Sequence, residues 1–375
     1  MNLKRYLRPC AIVLSVSLLA ACSNTSGIFS SIQEESKNTS TSTFYQTAVP
    51  DLAAYGNNYY ARLVGIYSRP KASSAASGWA YLDVSAFGAD YVCRGMAATN
   101  TGLYVAISKG RGSTSTPNGI FMFDGNSWDH VYTGTENIQA LYSANDQIFA
   151  VTMDSTTNSV STYSLKHLNG SALEATGIAS LTTMPTNVVY FGASYWCASD
   201  TSLYSGSATA MAATTMTYSI TRLATDEFEG SAATMIFLGT TTGYVYRSTD
   251  GSNWGSGKAA TYSTSYGVVS MAVIPTGSSG AGRALLVGSS YVGYYEANVT
   301  SSLGDFSTGA SSQIVAAKSN YDSSLGNMPV MSFVYSGKAT DGVLFACASA
   351  MAVDYTALWS DTWTTSRAWD GWAAE

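Results

Sequence analysis

A short apolar pattern recurs seven times along this 375-residue chain, and it constrains the fold more than any other feature. The copies begin at Leu63-Val64-Gly65, Leu103-Tyr104-Val105-Ala106, Ile148-Phe149-Ala150-Val151 and Tyr195-Trp196-Cys197-Ala198. They continue at Ile236-Phe237-Leu238-Gly239, Leu285-Leu286-Val287-Gly288 and Leu344-Phe345-Ala346-Cys347. Successive starts differ by 40, 45, 47, 41, 49 and 59 residues. Each run is short, apolar and bounded by turn residues, as a buried strand should be.

An aromatic segment follows each copy: Trp79-Ala80-Tyr81, Phe121-Met122-Phe123, Tyr163-Ser164-Leu165, Leu203-Tyr204, Tyr244-Val245-Tyr246, Tyr294-Tyr295 and Leu358-Trp359. Turn pairs come next, at Asp124-Gly125, Asn169-Gly170, Ser205-Gly206 and Asp250-Gly251. A weaker apolar stretch precedes most copies, as at Val268–Ile274 and Met331–Tyr335. The unit is therefore an outlying strand, a very apolar strand, an aromatic strand, a turn and a final strand. Four antiparallel strands at this period make a β-propeller blade, and seven copies predict seven blades in an all-β fold. Ring closure also explains how a Gly-rich chain with 11% charged residues avoids exposed sheet edges. The segment Thr43–Thr47 is expected to complete the last blade. An outer-membrane barrel is the weaker alternative: its strands would be evenly spaced, and the chain ends in Ala373-Ala374-Glu375 rather than an aromatic. A parallel β-helix would repeat at a shorter period.

The first 43 residues read as something other than the ring. Lys4, Arg5 and Arg8 precede an apolar run from Ala11 to Ala21, with small residues before Cys22. That is the plan of an export signal, and the run is shorter than the roughly 20 residues needed to span a bilayer. The sequence Leu19-Ala20-Ala21-Cys22 resembles the lipobox of bacterial lipoproteins. The resemblance implies cleavage after residue 21, acylation of Cys22 (palmitate among the chains) and membrane attachment through that lipid. Ser23, where Escherichia-type lipoproteins retained in the inner membrane carry Asp, implies the outer membrane. The composition is also similar to that of spirochaete-type lipoproteins. The expected organisation is a signal over 1–21, a Ser/Thr-rich tether over 22–43 and a propeller over 44–375.

Ser248-Thr249-Asp250-Gly251-Ser252-Asn253-Trp254 resembles an Asp-box, the turn between third and fourth strands in sialidase-like and photosystem-assembly-type propellers. Asp250 is suited to accept turn N–H bonds, Gly251 to take a positive φ, and Ser248 and Trp254 to complete the hairpin. Phe123-Asp124-Gly125-Asn126-Ser127-Trp128 is a degenerate copy and Ser360-Asp361-Thr362-Trp363 a fainter one. In families that carry it, the box is structural and implies nothing catalytic.

Chemistry is sparse. His130 and His167 lack metal-ligand spacing and are expected at surface or turn positions. No G-x-S-x-G elbow occurs. Cys93, Cys197 and Cys347 are widely separated and read as small core residues, although one pair could bridge. A sialidase-like site would need three of Arg62, Arg69, Arg94, Arg111, Arg222, Arg247, Arg283 and Arg367 to converge at the ring centre; the family's Arg-Ile-Pro signature is missing. Asp226, Glu227 and Glu229 cluster in one segment, as a solvated turn or half of a paired-carboxylate site. Asp146, Asp154 and Asp200 fall at strand ends, where Ca²⁺ is conceivable. With a net charge of −6 and no basic cluster, nucleic-acid binding is excluded. No metal or cofactor site is expected. The resulting expectation is an envelope lipoprotein that binds protein or glycan on a propeller face. Its loops Ser108–Asn118 and Ser278–Gly282 are candidates for contact. The alternative is an envelope glycoside hydrolase, sialidase-like or with paired carboxylates.

Overall fold

The computed structural model describes residue 44 and residues 47–375 apart from 74–77, 110–117, 158–159, 256, 260–264, 277–281, 291–292, 300–314, 317–327, 339–341, 350–355, 365–367 and 370–371. It forms seven antiparallel sheets. Blade 1 comprises β1 (Asp51–Tyr55), β2 (Asn58–Arg62), β3 (Ile66–Pro70) and β4 (Ala80–Tyr81). Blade 2 comprises β5 (Tyr91–Ala98), β6 (Leu103–Lys109), β7 (Gly119–Phe123) and β8 (Trp128–Tyr132). Blade 3 comprises β9 (Asn137–Ala144), β10 (Gln147–Thr157), β11 (Val160–Asn169) and β12 (Ala172–Ala175). Blade 4 comprises β13 (Val189–Phe191), β14 (Ser194–Ser199), β15 (Ser202–Ser207) and β16 (Ala210–Thr215). Blade 5 comprises β17 (Ile220–Thr225), β18 (Ile236–Thr240), β19 (Tyr244–Ser248) and β20 (Lys258–Ala259). Blade 6 comprises β21 (Val268–Thr276), β22 (Gly282–Ser289), β23 (Tyr294–Val299) and β24 (Val315–Ala316). Blade 7 comprises β25 (Val330–Ser336), β26 (Val343–Ala348), β27 (Leu358–Thr364) and β28 (Ala368–Trp369), with β29 (Ala373–Ala374) also on β27.

The first strands adjoin one another around the ring. β1 meets β5, β5 meets β9, and the series runs through β13, β17, β21 and β25 back to β1. The protein is a seven-bladed β-propeller, and the strand read as outlying is the innermost of each blade. At Gly95 the close approach of inner strands leaves no room for a side chain: an added Cβ would lie 2.4 Å from the backbone nitrogen of Leu141.

The apolar runs are second strands, buried on both faces. Successive side chains of a strand point opposite ways, so one strand serves two blade junctions. Phe237 packs toward blade 6, whereas Ile236 and Leu238 pack toward blade 4. Leu344 and Ala346 face blade 6, while Phe345 and Cys347 face blade 1. This two-sided burial is why the run is continuous rather than alternating. Ile236, Phe237, Leu286 and Phe345 are all at most 1% exposed.

Blade 1 departs from the repeat. Leu63-Val64-Gly65 is the turn between β2 and β3, with Val64 88% exposed. The true second strand, β2, buries Tyr59, Tyr60 and Ala61, so tyrosines stand where other blades place aliphatics. Trp79-Ala80-Tyr81 accordingly supplies the fourth strand, not the third. Ser205-Gly206 lies inside β15 rather than at a turn. Ser360–Trp363 lies within β27, out of place for a turn motif, because that segment pairs with β26.

Closure of the ring uses the end of the chain. β28 and β29 both pair with β27, so the outer edge of blade 7 comes from residues beyond 367. Phe44 does not complete that blade as a strand. Its buried side chain joins the blade 7–blade 1 core, and its carbonyl accepts the Ala357 N–H at 3.0 Å. At the same junction Arg69 and Glu375 form a buried pair at 3.0 Å. The Trp79 indole donates to Glu375 at 2.9 Å, and the Arg69 guanidinium lies over the rings of Tyr59, Trp79 and Phe345.

Candidate functional site

The ring encloses a channel with two connected cavities. One, of about 1070 Å³, opens among the turns that follow the first strands: Tyr55–Asn58, Ala98–Asn100, Ser143–Asp146, Thr225–Gly230 and Tyr335–Gly337. Tyr60, Lys71, Tyr190 and the turn at Asp124-Gly125 also line it. The other, of about 860 Å³, lies along the inner strands toward their starts. The two share Ala54, Ala98, Ser143, Val188, Tyr335 and Ser336. Six blades contribute to the open mouth, so its residues are close in space and distant in sequence.

The mouth is rich in Ser, Thr, Tyr, Asn and Gly and carries four carboxylates, Asp124, Asp146, Glu227 and Glu229, against one cation, Lys71. Two of the four, Asp124 and Asp146, are tied into local structure. Asp124 accepts the N–H groups of Asn126 (2.7 Å) and Ser127 (2.8 Å), which hold its carboxyl below the ordinary aspartate range. Asp146, in a left-handed conformation at the β9–β10 turn, accepts from the backbone and side-chain nitrogens of Asn100 and so couples blades 2 and 3. Asp226, buried, clamps its own turn through Thr234 and the Met235 N–H. Glu227 lines the cavity; partial burial, and then the like charge of Asp146, push its carboxyl upward. Asp154 and Asp200 sit elsewhere, held by Thr152 and Ser164 and by Ser219. Among the described residues no group of three His, Cys, Asp or Glu is placed to hold a metal.

The inner cavity gathers Arg62, Arg94 and Arg222, from blades 1, 2 and 5. Arg62 pairs with Asp51 at 2.5 Å and donates to the Cys93 carbonyl at 2.8 Å. Asp51 also accepts the Met96 N–H at 3.0 Å, so this group fastens blade 1 to blade 2. Burial nevertheless outweighs Arg62 and leaves the Asp51 carboxyl above its ordinary value. Arg222 donates through Nε to the Val269 carbonyl of blade 6 at 2.5 Å, and Arg94 through Nε to Ser108 Oγ at 2.9 Å. Tyr142 lines the same space, its phenol pushed upward by burial although Arg222 favours the phenolate. Asp51 meets Arg62 across the β1–β2 hairpin of one blade, whereas only ring closure brings Tyr142 beside the arginines. Arg69 and Arg247 are buried away from this lining, and Arg111 and Arg367 lie outside the described residues.

The remaining sequence candidates are structural. The Ser248–Trp254 segment forms a tight turn between β19 and β20. Gly251 N–H donates to Ser248 Oγ at 2.9 Å, and Ser252 and Asn253 N–H groups donate to Asp250 at 2.8 and 2.7 Å. These donors hold the Asp250 carboxyl far below its ordinary value. Gly251 has φ 75° and abuts Trp196, and Trp254 packs on the blade 4–blade 5 core. His130 lies on the edge strand β8, stacked on Phe121 at 4.2 Å. His167 departs from its expected surface position: it is buried on β11, 6% exposed, against Gln147 at 2.7 Å, and burial lowers its pKa. Cys93, Cys197 and Cys347 are free and buried, on three different blades, and burial raises each thiol to about 12. Cys22 and its flanks, and most of the loops Ser108–Asn118 and Ser278–Gly282, lie outside the described residues.

No family model matches this chain, and no curated protein does. Solved propellers do. The chain is similar to a structure described as YCF48 bound to D1 peptide, with a TM-score of 0.52 at 10% identity, covering 80% of this chain and 90% of that one. It is similar also to the computationally designed Ika8 protein, with a TM-score of 0.51 at 9% identity, covering 88% of each. At such identities the likeness establishes the fold.

Proposed function

We propose that this chain is a lipid-anchored binding scaffold of the bacterial cell envelope, holding a protein partner in and around its central channel. The observation that carries this reading is the channel mouth, built from turns of six blades. Its side chains are mostly hydrogen-bonding and small, and two of its four carboxylates, Asp124 and Asp146, serve the turns themselves. Such a surface offers many shallow contacts, as a recognition face does. The similar YCF48 structure, which holds a peptide, supports a protein as the kind of partner. The anchor at Cys22 rests on the lipobox resemblance, and an outer-membrane location on Ser23. Photo-crosslinking from a reactive group at Tyr190, on intact envelopes, tests the reading. One discrete adduct, absent when the group is moved to the outer strand β16, is expected; no adduct above that control overturns it.

A glycoside hydrolase of sialidase type is the second reading. It is favoured by Arg62, Arg94 and Arg222 lining one cavity beside Tyr142 and Asp51. Against it, Asp51 is already held by Arg62 and the Met96 amide. Release of sugar from envelope glycans, abolished by Tyr142→Phe, would establish this reading in place of the scaffold.

A further inference from the structure

The channel is electrically unsymmetrical along its axis. The carboxylates Asp146, Glu227 and Glu229 stand at the mouth formed where first strands end. Arg94 and Arg222 stand toward the opposite end, near the starts of β5 and β17. Neither arginine has a carboxylate within 4.0 Å among the described residues, where the ion pairs are Arg62–Asp51 and Arg69–Glu375. Among the described residues each spends only its Nε, and the paired Nη groups, the end that grips a carboxylate bidentately, meet no acceptor there. Their supports pre-set them: Arg222 is fixed on a backbone carbonyl of the next blade, Arg94 on a hydroxyl of its own. The same cavity is lined by Met184 and Met331, both exposed, with the edges of the buried Met96, Met271 and Phe333 behind them. Flexible thioethers and an aromatic ring suit apolar peptide side chains better than sugar hydroxyls.

We propose that the Arg94–Arg222 end of the channel is a carboxylate-binding site for an acidic, partly apolar peptide segment of the protein partner. This deepens the scaffold reading and rests on it. The segment enters from the arginine end, because the carboxylates at the mouth repel it from the other. Charge complementarity selects the occupant: this is a chain of net charge −6 whose channel interior exposes uncompensated guanidinium groups.

The test uses the full chain in detergent and a fluorescent peptide of about eight residues, alternating Glu and Leu, roughly 25 Å when extended. A matched peptide carries Gln for Glu, and a third carries Lys. The Glu peptide should bind at least about tenfold more tightly than the Gln peptide. Arg222→Ala and Arg94→Ala should each weaken it by about tenfold, and rising salt should weaken it further. Should Arg222→Ala unfold, Arg94→Ala, at an exposed position, carries the same threshold. Equal binding of Glu and Gln peptides, preference for Lys, or wild-type affinity in the folded arginine variants would overturn the site. Arginine-dependent uptake of a polyuronate without uptake of the peptide would overturn the protein segment as occupant. If no peptide binds and the Tyr190 crosslink is also absent, the scaffold reading itself fails.

Discussion

At Asp250 a side chain does the work of a missing stretch of secondary structure. Its carboxylate gathers two backbone N–H groups and the Asn253 amide, so the charged form is the one the folded turn requires. Its pKa therefore falls on folding from the ordinary 3.8. A carboxyl depressed by folding adds stability above its unfolded pKa and loses it as pH falls toward the folded one. Amide exchange at Ser252 and Asn253 should accordingly stay slow from neutrality to about pH 4 and quicken only in stronger acid, whereas in Asp250→Asn it should be fast throughout. Exchange in the variant matching wild type at neutral pH would show that the carboxylate is not what holds the turn. The sequence exposed this residue because the turn is local: donor, acceptor and glycine lie within seven positions. Asp226 shows the converse. It read as a solvated or catalytic carboxylate and is a buried clamp, because its partners Thr234 and Met235 return across a turn whose path was not legible.

At the scale of the element, the second strands are the most legible parts of the chain and the most costly to disturb. Six of the seven apolar runs fall on second strands, since burial between two blades imposes an unbroken apolar run. Phe237 is fully buried between blades 5 and 6, against Val268, Met271 and Leu285 among others. Phe237→Ala should cost about 3–5 kcal/mol, measured by chemical denaturation. A loss below about 1 kcal/mol would mean that the junction relaxes into the space. Blade 1 escaped the pattern because Tyr59 and Tyr60 do the same packing with rings that the eye assigns to an outer strand. Aromatic content marks strands in general; which strand of the blade is set by neighbours that sequence alone does not rank.

At the scale of the whole molecule, the ring holds only if blade 7 meets blade 1. Arg69 and Glu375 sit at that seam, 2% and 7% exposed. Removing one partner of a buried pair leaves a charge without compensation, so Arg69→Ala should destabilise the protein by about 3–5 kcal/mol. Replacing both, as Arg69→Met with Glu375→Leu, should recover most of that loss. A thermal melt in which the double variant is no better than the single one would place the seam's strength elsewhere, in the Phe44 and Phe345 packing. The proposed anchor belongs to this scale too. If the proposed lipidation of Cys22 holds, Cys22→Ala should leave the protein unprocessed or released from membranes. Fatty-acid label persisting on that variant would place the lipid on another residue.

The repeat period, six of the second strands and the two DG turns at Asp124 and Asp250 are determined by the sequence itself. The strands and turns depend on residues within about ten positions of one another, where alternation and turn chemistry act, and the period is their recurrence. The tertiary structure alone decided that first strands line the axis, that the end of the chain forms the outer edge of blade 7, and that Arg62, Arg94, Arg222, Tyr142 and Asp51 share one cavity. Those residues come from four blades, and apart from the Asp51–Arg62 pair of one hairpin nothing along the chain relates them. They meet because seven sheets, each needing cover on both faces, can cover one another by closing a ring.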